Sequence, residues 1–390
     1  MRHLLAFILA FGVMPLATAY DGVCRTAQDV ADLPPRHWCA VQNSRLESAE
    51  KRPSEFSDWN GSSSSQYNSF QRTIGLRGLI EAWNSAAFDT ERNRLLAFGG
   101  GHNDYGGNEV YAFSLSTLSW TRVTDPTVFP RRSPAFQNND GTPISRHTYS
   151  GIDYISHTDE LFVFDGAPDS ESGGCGTEGT WTLSLSSADW QLRTSSGEPN
   201  HGCDNAGAYD PVSQRMYWVN TSGMYEFNFS TNRWSSLPNG QRRDRAANLV
   251  VDPVGRYIVQ FGGGAMERYD IDNNFSSTGN ASGDTSIVNA DDPGAAFDTS
   301  LERVVAWSGG TTVYTYDASA NRWERVDADG SNLANPGSVS AAGGVFGRWR
   351  YSPASNVFVT VDAVDENVYL YRLSDGEGIT QPSAPLILPE

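Results

Sequence analysis

The sequence predicts an all-β protein, a β-propeller of six or seven four-stranded blades. Three observations lead there. A unit of short alternating strands recurs across most of the chain, and turn-forming residues fall at regular offsets within it. The composition is also rich in glycine and aromatics and poor in charge, with 38 Gly, 12% Phe, Trp and Tyr and 19% charged residues among 390. No stretch carries a sustained helical period.

Six copies of the unit follow one another. The first runs from Trp83 to Val123 as WNSAAFD, RLLAFGGG, NEVYAFSL and LSWTRV. The second has HTYSGIDY, ELFVFDG, GTWTLSL and DWQL, and the third NAGAYDP, RMYWVN, GMYEFNF and NRWSSL. ANLVVDP, RYIVQFGGG and MERYDI make the fourth, and GAAFD, RVVAWSGG, TTVYTYD and NRWERV the fifth. The sixth has only RWRYSP, NVFVTVD and NVYLYRL. Each copy holds three or four strands of period-two character, separated by Asp-Pro, Gly-Gly and Asn/Asp-rich turns. One such sheet cannot bury both faces, and radial packing of several solves that while leaving only short edges. Glycine pairs after the second strand permit positive φ where the chain turns. The tryptophan of the fourth strand is expected to pack between blades. On these residues the chain resembles the kelch or galactose-oxidase-like propellers, over roughly residues 75 to 375.

The remaining segments set the boundaries. Arg2 and His3, an apolar run from Leu4 to Val13 and the small-residue pattern Ala17-Thr18-Ala19 read as a signal peptide over 1–19. The apolar run is too short to span a bilayer. Residues 20–71 do not fit the repeat and are read as an N-terminal extension, with Gly61 to Ser69 a serine-rich loop. The part around Cys24 and Cys39, with the C-terminal segment, is a candidate for a partial closing blade. Residues 72–390 are assigned to the propeller. An exported chain suits disulfides, and the economical pairing joins sequence neighbours, Cys24 with Cys39 and Cys175 with Cys203. The expected location is secreted or periplasmic.

Charge narrows the partners. A net charge of -18 argues against nucleic acid, and no later segment is apolar enough for a membrane. Positive charge is nearly all arginine, with Lys51 the one lysine. Arginine suits bidentate capture of carboxylate or sulfate.

Aligning the blades on Phe88, Tyr154, Tyr209, Val251, Phe297 and Tyr351 gathers polar residues on one rim. Glu81, Arg146, His147, Tyr149, His201, Asp204, Arg243, Arg245, Asn289, Asp291 and Asp292 precede the first strands, with Arg348, Trp349 and Arg350 deeper in the sixth blade. The glycine loop GGGHNDYGGNE adds His102, Asn103, Asp104 and Tyr105. His102, His147 and His201 are 45 and 54 residues apart (147−102 and 201−147), about one blade each. His37 and His157 read as a terminal-loop residue and a far-side turn residue.

Several chemistries want this set. β-Elimination on a uronic acid needs a cation to neutralise the carboxylate, a base for the C5 proton and an acid for the leaving oxygen. Arg245 or Arg243, His147 or His102, and Tyr149 or Tyr105 supply these, with Arg146, His201, Asn103, Arg348 and Trp349 as substrate contacts. In fold, secretion and residue types the chain resembles the secreted propeller lyases that cut ulvan. That resemblance implies a monomeric polysaccharide lyase acting on an anionic, uronic-acid-containing polymer. No cofactor is required in this reading. A divalent metal (Mn, Ca or Zn) enters in a variant similar to the oligogalacturonate lyases, where His102, His147 and His201 would be ligands beside Asp204 or Glu81. Copper-radical oxidation needs a cysteine free for crosslinking to tyrosine. A noncatalytic glycan-binding or adhesion propeller is the alternative from another class, with Trp83, Tyr105, Tyr149 and Trp349 stacking on sugar rings.

Overall fold

The computed structural model describes residues 20–51, 54–55, 63–130, 136–170, 174–240, 247–339 and 344–376. The signal-peptide reading of 1–19 lies outside them. Each repeat forms one antiparallel sheet, and there are six. Blade one consists of Ala86–Asp89, Arg94–Ala97, Tyr111–Ser114 and Ser119–Arg122. The first strands of blades two to six are Ile152–Ile155, Ala206–Asp210, Asn248–Asp252, Gly294–Asp298 and Trp349–Ser352. Each of these innermost strands touches its counterpart in the next blade, and the sixth returns to the first. The ring is therefore six-bladed, and the described residues hold no strands for a seventh blade.

The recurring aspartate has a concrete task in these sheets. Asp89, Asp210, Asp252 and Asp298 each end a first strand and accept from backbone N–H groups of the turn that follows. Examples are Arg92 N–H at 3.0 Å, Val212 N–H at 3.0 Å, Gly255 N–H at 2.8 Å and Ser300 N–H at 2.8 Å. Side-chain acceptors of this kind hold a chain reversal in place. Asn228, Asp270 and Asp317 do the same after third strands.

Tryptophans of fourth strands lock blades three and five to the ones before them, whereas the fourth strand of blade four, Ser276–Gly279, carries none. The indole N–H of Trp234 in blade three donates to Thr180 of blade two at 3.0 Å, and that of Trp323 in blade five reaches the Met266 sulfur of blade four at 3.1 Å. The sixth repeat has no such tryptophan of its own. Its fourth strand is His37–Val41, which pairs antiparallel with Tyr369–Arg372 in the register Trp38↔Tyr371. Trp38 is fully buried among Trp307, Trp349 and Tyr371, and its N–H donates to Thr311 of blade five. The N-terminal segment thus completes the last blade and closes the circle. His37 belongs to this strand and not to a terminal loop, because its backbone pairs with Arg372.

Beyond it, Val23–Cys24 adds a short parallel strand, and the Cys24–Cys39 disulfide ties the two together. The stretch expected to be a loop up to Ser69 is an α-helix over Ser63–Gln71. Phe70, with Tyr67 against it one turn earlier, packs that helix onto buried Tyr105, which outweighs its weak helix propensity. On the far face the channel widens into a cavity of about 300 Å³ walled by Phe88, Tyr154, Tyr209, Val251, Phe297 and Tyr351.

Closure through one buried indole gives a direct test. Trp38→Ala is expected to cost about 3–5 kcal/mol in denaturant unfolding, the range for emptying a large aromatic site. A midpoint equal to that of the parent chain would show that the ring does not depend on this strand.

Candidate functional site

The site is built where blade one meets blade two. Gly99, Gly100 and Gly101 follow the second strand of blade one and run beside the short pair Arg146–His147 and Ala167–Pro168. Gly101 has φ +71, and a Cβ there would lie 2.4 Å from the Arg146 backbone, so only glycine admits this approach. Its N–H donates to the Ser145 hydroxyl at 2.8 Å. His102 and Asn103 then take φ values of 47° and 66°, and His102 N–H donates to Pro168 O at 2.9 Å. This tight turn sends the His102 and Asp104 side chains toward His147.

His147 Nε2 lies 2.9 Å from Asp104 Oδ2. Burial pushes the imidazole below its usual pKa, and the Asp104 contact opposes that shift only in part. A carboxylate can only accept, so neutral His147 carries its proton on Nε2 and keeps Nδ1 as an acceptor. The His102 ring stands edge-on to His147 at 5.2 Å. On the other side the Trp83 indole lies at 5.2 Å and 31°. Trp83 is 37% exposed and holds φ 50°, while Tyr149 N–H donates to its carbonyl at 2.8 Å. The Tyr149 ring is 6.1 Å from that of His147 and packs against Phe346. Asn84 braces the two blades: its amide donates to Gly78 O and its carbonyl accepts from Thr148 N–H.

Trp83, His102, Asp104, His147 and Tyr149 therefore form one cluster. Other residues expected there lie elsewhere. His201 sits 3.8 Å from Asp165 and 3.6 Å from Glu198, against Phe164, beside the Cys175–Cys203 disulfide. Tyr105 is fully buried and donates to Glu109, which also accepts from Tyr111 at 2.9 Å; burial pushes both phenols up. A sealed tyrosine can neither protonate a leaving group nor stack on a sugar. Asn103 donates to Thr73 at 2.9 Å and ties the loop to the N-terminal segment.

Arg146 is buried with its Nη2 unpaired, and burial lowers its pKa to about 10. It donates to Ile144 O within its own blade and meets no solvent. Arg348 donates to the carbonyls of Val361, Asn84 and Gly344, so its guanidinium is consumed internally. Trp349 is buried in the aromatic stack with Trp38, Trp307 and Phe358, so no sugar reaches it. Arg350 spans the channel to Ala86 O and Ile152 O. Arg243 and Arg245 lie outside the described residues. Both cysteine pairs are oxidised and no thiol is free, so a tyrosine–cysteine crosslink has no partner. The partnership of Asp104 with His147 was missed in the sequence, although the spacing His102-x-Asp104 was its signal.

No family model matches the chain. Among solved structures, an auxiliary nutrient binding protein from Bacteroides thetaiotaomicron superposes with a TM-score of 0.48 at 10% identity. The match covers 75% of this chain and 69% of that one. An identity of 10% transfers no residue of the site.

Two carboxyls near the rim make stability pH-dependent. Burial pushes Asp165 up to about 7. Burial, with Asp204 and Asp291 nearby, pushes Asp292 up to about 8. Unfolded carboxyls titrate near about 4, so the folded chain resists their ionisation, and stability falls as pH rises from about 4 to about 8. Asp292→Asn removes one such penalty. It is expected to gain of order 1–3 kcal/mol in unfolding free energy at about pH 9 and nothing at about pH 4. An equal effect at both pH values would contradict this account.

Proposed function

We propose that this chain is a secreted glycan-binding propeller whose binding rim is the junction of blades one and two. The observation that carries the reading is Trp83, the one exposed tryptophan among the described residues. Its ring stands part-way out of the surface on a left-handed backbone whose carbonyl is held by Tyr149 N–H, so the indole face is presented in one fixed place. The apolar face of a sugar ring stacks on such a surface, and His102 and Asp104 offer a donor and acceptors for hydroxyls beside it. Two disulfides fit an oxidising compartment, in keeping with export. Among the described residues no helix is long and apolar enough to cross a membrane.

A second reading, β-elimination on a uronic acid, is favoured by one feature. His147 is held neutral with Nδ1 as an acceptor, beside the Tyr149 ring, and a base and an acid on one rim are what the reaction requires. The carboxylate-neutralising cation would be Arg245 or Arg243.

Affinity electrophoresis through ulvan, alginate, pectate and glycosaminoglycans tests the binding reading. At least one polymer is expected to retard the protein, and Trp83→Ala should weaken that retardation about tenfold, or about 1.4 kcal/mol. Unretarded migration on all four rejects it. Following unsaturated-product absorbance on the same polymers separates the two readings. Binding with a flat trace leaves the noncatalytic function. A rising trace that falls at least about a hundredfold in His147→Ala establishes the lyase.

A further inference from the structure

We propose that His102, Asp104 and His147 form a binding site for one divalent transition-metal ion, of which zinc is the representative. Each of the three offers one ligand atom, and these atoms lie within 4.8 Å of one another. Among the described residues no other group of histidines, cysteines and carboxylates converges in this way.

Three ligands about 2.0–2.2 Å from an ion stand roughly 3.5 Å apart, so closing onto zinc takes a movement of about 1 Å. The ligand that moves is His102, whose side chain is exposed, while His147 is buried and already oriented toward Asp104. The backbone is prepared for this. The His102 N–H is held by Pro168 O and the Asp104 N–H by Gly101 O at 2.8 Å, so both ligands leave a rigid turn on one side. Sites on well-supported backbone keep their ligands in place.

The donor set selects the ion. Two imidazoles and one carboxylate suit zinc and its first-row neighbours, whereas calcium wants six to eight oxygens. Three protein ligands leave an open position, and the exposed His102 side of the cluster turns it to solvent beside Trp83. On binding, the ion takes the place of the Nε2 proton of His147, which moves to Nδ1. A metal-bound His147 can then no longer serve as the base of an elimination. The site stands whether or not a glycan binds at the rim.

The test uses the mature, tag-free chain, stripped with chelator and titrated with zinc chloride by calorimetry, with manganese and calcium chloride in parallel. One zinc ion per chain is expected, bound at least about tenfold more tightly than calcium. His102→Ala should weaken zinc by about 30-fold or more at unchanged Tm, Asp104→Ala should weaken it as much, and His201→Ala should leave it unchanged. Because His102 is exposed, its removal tests the site without disturbing the core. Cobalt in place of zinc gives a visible spectrum that His102→Ala must alter. The proposal is overturned by no zinc binding up to about 100 µM, by equal affinity in His102→Ala, or by loss in His201→Ala.

Discussion

The whole ring rests on one borrowed strand. Five blades draw all four strands from a continuous repeat, but the sixth is short by its outermost strand and by the indole that locks a blade to its predecessor. His37–Val41 supplies both, placing Trp38 against Trp307, Trp349 and Tyr371. Without it, the sixth blade would expose an open edge and the face of blade five that Trp38 covers. The first strands could still line up, yet nothing would hold the last blade to its neighbours except the inner contacts. A closed ring is cooperative because each blade buries the faces of two others.

Closure also explains why the rim of the first two blades is rigid enough to hold a cluster of polar side chains. The Arg348 guanidinium reaches from blade six to the Asn84 carbonyl, while the Asn84 side chain bonds to Thr148 at the start of blade two. Three blades are thereby joined by buried polar groups directly beneath Trp83 and His147. Such groups are costly unless satisfied, so they hold one geometry. Arg348, which the sequence alone assigns to substrate, is spent on this bracing. Among the described residues, the chemistry that reaches solvent in this cluster is the Trp83 indole, the His102 imidazole and the Asp104 carboxylate, with His147 and Tyr149 buried behind them.

That arrangement bears on how the protein works. Trp83 faces solvent, His147 lies behind it, and His102 and Asp104 flank His147 on the exposed side. A ligand stacked on the indole would meet whatever occupies the space among the three polar residues. If that is a metal ion, its open position is a natural partner for a sugar carboxylate or a pair of hydroxyls. If it is a proton relay, His147 acts as the base from behind the Trp83 indole. The two proposed roles compete for the same imidazole, so a metal-bound His147 and a His147 base exclude one another.

The sequence by itself determined the blade repeat, the disulfide partners and the face on which the histidine-bearing loops emerge. These depend on local chemistry: aspartates that cap turns, glycines that allow tight reversals, and strands that alternate in polarity. The segment around Cys24 and Cys39 was readable as a candidate for closing the ring, but that it supplies the fourth strand of the sixth blade through Trp38 was decided by the pairing with Tyr369–Arg372. What only the tertiary structure decided was which rim residues share a point in space. His201 shares the rim with His102 and His147 by spacing, yet the disulfide loop holds it beside Asp165. Tyr105, Arg146, Arg348 and Trp349 look available in one dimension and are sealed in three, because burial is a property of the packed ring. The contact of Asp104 with His147 joins residues 43 apart across two blades, and it exists only because Gly101 lets the loop pass close to Arg146.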